Sequence, residues 1–465
     1  MDKKKISLIA AFLALALIVW VMPTVQGLTV EGKRVLGIAV FAIIVWATSA
    51  VSDALSGFLI VFFLAFFTGK TSIAFSGYSN TALWLLVVGF IMAAGMEKCG
   101  LSRRIALYLI SLAGGSARKI YWAIGLVMAI LTFLVPSITA RTLLMLPIIL
   151  GIGEAFGARP GKSPIVKALL FIVAISGTLM SIGVLTAHAG NPITAGLIQT
   201  ATKQTVTWSQ WLVVGGPPAF ISGFLSILLL QILWPPETSL LGEGEAYVKK
   251  ELEKMGQFSK VERYTLIVFI VTLILWATDT YHKINATVIG LVAVILLIWP
   301  QFGVMDWKEA SGKVPWNVFV LYGAGLSMGS ALVSSGVAKW IAGTALAPIS
   351  HLAITTQLIV LIWFATALQV FFTGGGPKTT ALTPIVLAHA VTIGADPLVF
   401  GLIMGMNMQH QYLLPVSNMP NAVIMGTGHL EISEVIKTGA IASIFAAAFF
   451  SLMVFTYWRW IGVMF

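Results

Sequence analysis

Long apolar segments alternate with short polar connections along most of the chain. Segments of about 20 apolar residues match the hydrocarbon thickness of a bilayer. We therefore expect an all-α polytopic membrane protein with about eleven transmembrane helices. The predicted spans lie at about 6–25, 35–52, 54–68, 80–98, 164–187, 209–233, 264–279, 284–300, 316–334, 396–427 and 436–463.

A polar break divides each of two further apolar regions, 120–155 and 352–392. In the first region the break is Pro136 to Thr139, and in the second it is the glycine run Gly374 to Gly376. The apolar run on either side of each break is too short to span comfortably. Non-helical backbone at membrane depth is tolerated only where it faces protein or a water-filled cavity. The pattern therefore predicts two re-entrant helical hairpins.

The two hairpins carry related sequences. Aligning Arg141 with Lys378 also aligns Pro147 with Pro384. Glycines further upstream follow nearly the same offset: Gly89 with Gly325 and Gly100 with Gly336. This self-similarity predicts that the chain contains an internal repeat.

The repeat divides the chain into four parts, and basic residues orient them. We expect a first span at 1–34, a first inverted repeat at 35–234, a cytoplasmic linker with a short surface helix at 235–262, and a second inverted repeat at 263–465. Lys and Arg concentrate on the cytoplasmic side of membrane proteins. We therefore expect a bacterial-type inner membrane location with the N-terminus cytoplasmic and the C-terminus outside. The basic residues then outside, apart from the hairpin tips, are Lys33, Arg34, Lys70, Lys203, Lys283, Lys339 and Arg459.

Composition narrows the classes of function. The chain has 465 residues, of which 58% are hydrophobic and 10% are charged, and it has a single cysteine, Cys99. One cysteine excludes a disulfide framework and a thiolate metal site. The net charge of +11 fits topology signals and anionic lipid better than nucleic acid. Without a P-loop or an HExxH motif, we expect no enzyme activity, no cofactor, no bound metal and no nucleic-acid partner.

Four breaks supply candidate binding groups: the two hairpin tips and the interrupted helices near 186–192 and 414–421. Half-helix N-termini favour anions. A cation at membrane depth, such as Arg141 or Lys378, is kept only where it meets water, a ligand or a partner. The alternative is that Pro and Gly only kink helices that polar side chains hold together, but the symmetric pairing favours a small-anion site. The candidate substrate-binding residues are Ser137, Ile138, Thr139, Arg141, Thr186, Gly190, Asn191, Pro192, Thr373, Gly374, Gly375, Gly376, Lys378, Ser417, Asn418 and Pro420.

Two of these segments carry a family resemblance. The sequence Leu-Pro-Val-Ser-Asn-Met-Pro-Asn, from Leu414 to Asn421, resembles the Leu-Pro-Val-x-x-x-Pro-Asn break of the divalent anion/sodium symporter (DASS) family. Ser-Ile-Thr-Ala-Arg-Thr, from Ser137 to Thr142, resembles the Ser-Asn-Thr-Ala-Arg-Thr motif of its citrate/succinate, tartrate/succinate and plastid 2-oxoglutarate/malate-type exchangers. The resemblance covers nearly the whole chain. It implies an elevator-type secondary transporter, usually a homodimer, that takes a small di- or tricarboxylate and a counter-substrate.

The chain departs from the family pattern at its hairpin tips. Ile138 stands where the motif has asparagine, and Gly374 to Gly376 replace the second Ser-Asn-Thr motif. The resemblance implies that these motifs help to form sodium sites in the symporters. Their loss, with Arg141 and Lys378 four residues further on, leads us to expect sodium-independent antiport. The alternative is a sodium- or proton-coupled symporter of a dicarboxylate or another divalent anion, such as sulfate or a sulfonate.

Overall fold

The computed structural model describes residues 3–372 and 374–463. Within these ranges the chain is helical, and the only β-type pairing is an isolated bridge between Ser116 and Leu240. The helices up to the linker are α1 Lys3–Ala16, α2 Val30–Thr48, α3 Asp53–Thr68, α4 Thr71–Ala74, α5 Thr81–Lys98, α6 Leu101–Ser111, α7 Ala117–Leu134, α8 Ile138–Ala155, α9 Pro164–Phe171, α10 Gly177–Ile182, α11 Gly190–Thr202 and α12 Trp208–Leu233. Two π-helical segments, Leu17–Val21 and Ile172–Ser176, and the 3-10 turn Ser76–Ser79 complete this part.

The second part of the chain follows a similar order of long and short helices. Its helices are α13 Gly242–Lys254, α14 Lys260–Ala277, α15 Asp279–His282, α16 Ala286–Ile298, α17 Trp307–Gly312, α18 Trp316–Ser334, α19 Val337–Ala345, α20 Ile354–Ala367, α21 Gly375–Thr392, α22 Pro397–Met408, α23 Met419–Met425, α24 Ile432–Phe455 and α25 Tyr457–Trp460. The 3-10 turns are Ala347–Ile349 and Leu368–Phe371.

Nine helical segments in the described part of the chain are long and apolar enough to cross a membrane. They are Lys3–Val21, Thr81–Lys98, Ala117–Leu134, Ile138–Ala155, Pro164–Ile182, Trp208–Leu233, Trp316–Ser334, Ile354–Phe371 and Ile432–Trp460. The shorter apolar helices α3, α16 and α22 add to them. On α3, Phe58, Phe62 and Phe66 are exposed along one face, as expected for contact with lipid. The prediction of an all-α polytopic membrane protein is confirmed, and the number of eleven spans stays a prediction.

The hairpin arms are longer than the sequence indicated. Each arm has 18 residues: α7, α8, the segment Ile354–Phe371 and α21. An 18-residue helix is about 27 Å long, close to the hydrocarbon thickness. Short arms therefore do not account for the two breaks, and the re-entrant hairpins stay a prediction. The terms first hairpin and second hairpin are used below as names for residues 117–155 and 354–392. The first arm begins at Ala117 rather than near residue 120, because the Ala117 N–H is held by the carbonyl of Ser239 in the linker.

Two helices are interrupted, as the sequence predicted. Helix α10 ends at Ile182 and α11 begins at Gly190, so the first break covers residues 183–189. Helix α22 ends at Met408 and α23 begins at Met419. The second break therefore begins at Gln409, five residues before the predicted position.

Small residues bring each hairpin close to the long helix that precedes it in the chain. A Cβ atom at Gly89 on α5 would lie 3.0 Å from Cγ of Pro136, at the first hairpin tip. A Cβ atom at Gly325 on α18 would lie 2.5 Å from Cγ2 of Thr380 in α21. Helices α11, α21 and α22 also pack against one another, and α18 packs against α11 and α21. These contacts bring the second hairpin and the end of the first break to the same part of the protein.

The linker helix α13 is more than a surface helix, because it packs against α6 and α8. Tyr247 fills the space above Gly151 on α8, where an added Cβ would lie 2.1 Å from its ring. Glu251 forms an ion pair with Arg103 of α6 at 2.7 Å. Helix α14 begins at Lys260, within the segment 235–262, because Ser259 caps it; the bounds of the linker stay a prediction.

Candidate anion-binding site

Arg141 lies in the first turn of α8, at the first hairpin tip, and its side chain is fully buried. Its guanidinium donates hydrogen bonds to the hydroxyl oxygens of Thr132 on α7 and Ser181 on α10, the latter at 2.7 Å. Nη2 also donates to the carbonyl oxygen of Ala187, in the first break, at 2.9 Å. Arg141 therefore joins both arms of the first hairpin to the first break.

Lys378 has the corresponding position in the first turn of α21 and is also fully buried. Its Nζ donates to the carbonyl oxygens of Ala365 on α20, at 3.1 Å, and His410 in the second break, at 3.2 Å. The Gln411 carboxamide forms two hydrogen bonds. Its nitrogen donates to the Phe372 carbonyl oxygen at 3.3 Å. Its oxygen then accepts from Lys378 Nζ at 3.2 Å. Lys378 therefore joins both arms of the second hairpin to the second break.

Neither cation has a carboxylate partner among residues 3–372 and 374–463. The ion pairs found there all involve other Lys and Arg residues. The partners of Arg141 and Lys378 are neutral hydroxyl, amide and carbonyl oxygens, and Nε of Arg141 has no partner in the described part. A buried charge without an opposite charge is unfavourable by several kcal/mol. This arrangement favours the arrival of an anion.

The four half-helix N-termini differ in whether the protein caps them. Ser137 Oγ accepts from the backbone of α8 at 3.2 Å, and Asn418 Oδ1 accepts from the backbone of α23 at 2.8 Å. Helices α11 and α21 begin at Gly190 and Gly375, and their N-cap residues provide no side-chain hydrogen bond. At α11, the Gly190 N–H donates to Nδ1 of His188 at 3.2 Å. The side-chain oxygens of Ser137 and Asn418 therefore cap helices. The sequence predicted both residues as substrate-binding and did not indicate this capping role.

Two asparagines hold the breaks in shape. Nδ2 of Asn191 donates to three backbone carbonyls at the end of α10 and in the first break, at 2.8–3.3 Å. Nδ2 of Asn421 donates to two carbonyls in the second break, both at 3.0 Å. Asn191 is fully buried, and its Oδ1 has no donor in the described part of the protein. The amide nitrogens therefore satisfy carbonyl oxygens of the non-helical backbone in both breaks.

The first residues of α11 and α21 meet at the side chain of Gln409. A Cβ atom at Gly190 would lie 2.2 Å from both amide atoms of Gln409, and one at Gly375 would lie 2.2 Å from its Oε1. Gly374, just before α21, has φ +122°, which L side chains rarely adopt. Nε2 of Gln409 donates to Thr379 Oγ1 at 2.8 Å. The first break, the second break and the second hairpin therefore converge at this residue.

Other predicted residues have structural partners of their own. Thr186 Oγ1 accepts from Trp208 Nε1 at 3.2 Å, and Ser417 Oγ accepts from the Leu414 N–H at 2.9 Å. Pro192 lines a cleft of about 250 Å³ between α5, α11 and α16. The cleft provides space that leads toward the start of α11.

The remaining predicted residues lie at the hairpin tips and the second break. Ile138 is buried and lies against Gly177, where an added Cβ would be 3.1 Å from its Cδ1. Gly376 faces the hydroxyl of Tyr322 on α18, which would lie 2.1 Å from an added Cβ. Thr373 lies outside the described residues. Of the other predicted residues, Pro420 is buried, and Thr139 and Gly374 are half-buried.

Sequence reasoning missed the residues that surround the two cations. Thr132 and Ser181 bind Arg141, and Gln411 binds Lys378. It also missed Gln409, although polar residues 409–411 directly follow the apolar, Met-rich α22. A run of polar side chains beside an apolar helix is a signal of the same kind as the one that identified Arg141.

Comparisons with known proteins agree with this architecture. The family described as "Sodium:sulfate symporter transmembrane region" matches residues 3–464. A membrane protein of Cupriavidus necator is 33% identical over 97% of this chain and 92% of its own length. The sodium-dependent dicarboxylate transporter SdcS of Staphylococcus aureus (strain bovine RF122 / ET3-1) is 26% identical over 92% of this chain and 86% of its own length.

A solved structure shares the fold at much lower sequence identity. MtrF of Neisseria gonorrhoeae, described as one of a class of antimetabolite efflux pumps, superimposes with a TM-score of 0.60 and 12% identity. The superposition covers 97% of this chain and 94% of MtrF. The family is one of symporters and the Staphylococcus aureus relative is named a transporter, so this chain is a membrane transporter and not an enzyme. With a family match over nearly all of its length, the chain belongs to the divalent anion/sodium symporter family.

Proposed function

We propose that the protein exchanges di- or tricarboxylate anions across a bacterial inner membrane, without sodium, by an elevator-type mechanism. The observation that carries the proposal is the pair of buried cations, Arg141 and Lys378. Both are 0% exposed, and their partners in the described chain are neutral oxygens. They supply two positive charges for a dianion at fixed positions.

Fixed cations give a physical reason for exchange. The carrier without substrate holds two uncompensated charges, and each is unfavourable by several kcal/mol in a low-dielectric barrier. A bound dicarboxylate neutralises both charges, so the loaded carrier crosses far more readily than the empty one. A return step then requires another anion from the opposite side, which makes transport a one-for-one antiport.

The fixed cations also take the role that sodium has in a symporter. Thr132, Ser181 and Ala187 present three oxygens to Arg141. Hydroxyl and carbonyl oxygens are also the ligands that hard metal cations prefer. A guanidinium that occupies them leaves no room for a metal ion at the same point.

The second candidate is sodium-coupled symport of a divalent anion. It is favoured by the Staphylococcus aureus relative, whose name describes a sodium-dependent dicarboxylate transporter. The same relative supports a dicarboxylate as the substrate under either mechanism. Sulfate belongs to the same chemical class of divalent anion.

The proposal includes the arrangement of the chain in the membrane. Helices α6 and α19 both begin after a glycine with φ +78° and ψ 1°, Gly100 and Gly336, which supports two related halves. We place these halves in opposite orientations at 35–234 and 263–465, with the N-terminus cytoplasmic and the C-terminus outside. A homodimer is the proposed assembly.

Reconstitution into liposomes tests the function. Uptake of labelled succinate is measured into vesicles preloaded with succinate, malate, citrate or sulfate, and into empty vesicles. We expect uptake only into vesicles that contain an exchangeable anion, and the same rate when choline replaces all sodium. Uptake into empty vesicles that requires an inward sodium gradient would contradict exchange and establish the second candidate.

A further inference from the structure

Gln409 occupies the place where two helix N-termini converge. Its carboxamide lies against the Cα atoms of Gly190, at the start of α11, and Gly375, at the start of α21. Only 1% of the residue is exposed. Both helices are long enough, at 13 and 18 residues, for their partial positive charges to act at this point.

The carboxamide oxygen of Gln409 is left without a donor. Oε1 receives no hydrogen bond in the described part of the protein, while Nε2 donates to Thr379 Oγ1 at 2.8 Å. A buried acceptor without a partner is unfavourable, because it has lost its hydrogen bonds to water. An orphaned atom of this kind, placed at two glycine-built helix ends, indicates a site that a ligand completes.

The position of Gln409 also links the two cations. Ala187, which binds Arg141, is three residues before Gly190 in the first break. His410, whose backbone carbonyl accepts from Lys378 Nζ, is the neighbour of Gln409 in the second break. Gln409 therefore lies between the chain segments that hold the two positive charges.

We propose that Gln409 is a specificity-determining residue that binds the transported anion directly and occupies part of its place when the site is empty. Before an anion arrives, both amide atoms lie against Gly190, and Oε1 also lies against Gly375. When an anion arrives, the amide turns over, so that Nε2 donates to the anion and Oε1 accepts from the Thr379 hydroxyl. A threonine hydroxyl can act as donor or acceptor, so the hydrogen bond with Thr379 survives this rotation. The longer hydrogen bond from Nε2 to the Gly405 carbonyl, at 3.4 Å, is exchanged for the one to the anion.

This arrangement explains why glycine occupies positions 190 and 375. A methyl group at either position would overlap the carboxamide of Gln409. The glycines provide room for the amide in one state and for the anion's oxygen atoms in the other. The inference rests on the proposed function only in taking the ligand to be the transported anion.

Binding to the purified full-length protein tests the inference. Unfolding is followed by tryptophan fluorescence in detergent while succinate, citrate or sulfate is titrated, with and without sodium. The variants are Gln409→Ala, Gln409→Glu and, as a matched control, Gln231→Ala, which removes a half-buried glutamine of α12. The assay needs neither an ion gradient nor a counter-anion.

The two Gln409 variants have different expected results. Gln409→Ala loses one hydrogen bond to a charged ligand, so its apparent Kd rises by about 10-fold or more. Gln409→Glu places a carboxylate at the helix ends, so it no longer binds the anions, and its melting temperature without anion moves toward that of the anion-bound wild type. Gln231→Ala binds as the wild type does.

The results also separate this inference from the proposed function. Wild-type affinity in both Gln409 variants overturns the inference, whatever the liposome experiment shows. Sodium-driven uptake in liposomes overturns exchange but leaves a Gln409-dependent binding result standing. If Gln409→Glu does not fold, Gly375→Ala replaces it, because the added methyl group displaces the amide of Gln409. The inference requires that Gly375→Ala binds the anions more weakly. Unchanged binding in that variant refutes the inference.

Discussion

Replacing Lys378 with methionine should convert strict exchange into a leak. The two side chains have nearly the same length, so the substitution removes the charge and keeps most of the volume. The carbonyls of Ala365 and His410 lose their donor, which costs about 1–3 kcal/mol each. Relief of a buried, unpaired charge offsets this by several kcal/mol. We therefore expect a folded protein with weaker anion affinity.

The size of the leak follows from the charges. The empty wild-type carrier holds two positive charges, and the variant holds one. If the second charge contributes about 3 kcal/mol to the barrier, its removal speeds return of the empty carrier by about 100-fold. The wild-type carrier loaded with a dianion is neutral, whereas the loaded variant has one negative charge. A unit charge that crosses the full field gains about 2.3 kcal/mol per 100 mV.

The assay measures efflux of labelled succinate from liposomes into buffer without anion, at several membrane potentials set with potassium and valinomycin. Wild type should retain its label until external succinate is added, and its exchange should not depend on the potential. Lys378→Met should release label without counter-anion and at a rate that depends on the potential. Lys378→Arg keeps the charge and should exchange strictly. Lys339→Met makes the same chemical change at an exposed position and should behave as the wild type.

Strict one-for-one exchange in Lys378→Met, independent of potential and with normal affinity, would refute the coupling role of the cation. Lys378 would then be a structural residue that holds α20, α21 and the second break together. A leak of equal size in Lys378→Arg would also contradict the reasoning, because that variant retains the charge.

Two further predictions concern stability. Asn191→Leu removes the donor of three buried carbonyls, so the protein should lose about 1–3 kcal/mol of stability in thermal unfolding; unchanged stability with weaker anion binding would instead place Asn191 against the anion. The pKa of Glu251 lies below its usual 4.5, chiefly because Lys254 donates a hydrogen bond to it. The ion pairs of Glu251 should therefore protect the amides of α13 from hydrogen exchange at neutral pH. This protection should fall as the pH drops below 4.5 and Glu251 becomes protonated. The variant Glu251→Gln should lack this pH response.

The helices were predictable because a bilayer permits few alternatives. Backbone polar groups must be satisfied within each segment, so apolar runs of sufficient length become helices. The start of α7 was harder to predict, because the Ala117 N–H is held by Ser239, which is far away in the chain. The role of α13 depends in the same way on its distant contacts with Arg103 and Gly151.

The site was predictable where the signal is local. A charge at membrane depth is costly whatever the rest of the fold. The apolar sequence around Arg141 and Lys378 was therefore enough to propose both residues. Gln409 was not, because its importance comes from Gly190 in the other half of the protein. Asn418 has a local structural role that its polarity alone did not indicate, because its Oδ1 caps α23; its binding role stays a prediction.

The partners of the two cations also have a consequence for folding during synthesis. Thr132, Ser181 and Ala187 are at most 46 residues from Arg141, and the carbonyls bound by Lys378 are within 32 residues. Contacts of short sequence separation form early, and domains fold largely as they are made. Each half can therefore surround its own cation before meeting the other half. The contact between Gly190 and Gln409 joins distant parts of the chain, so we expect the proposed anion site to assemble last.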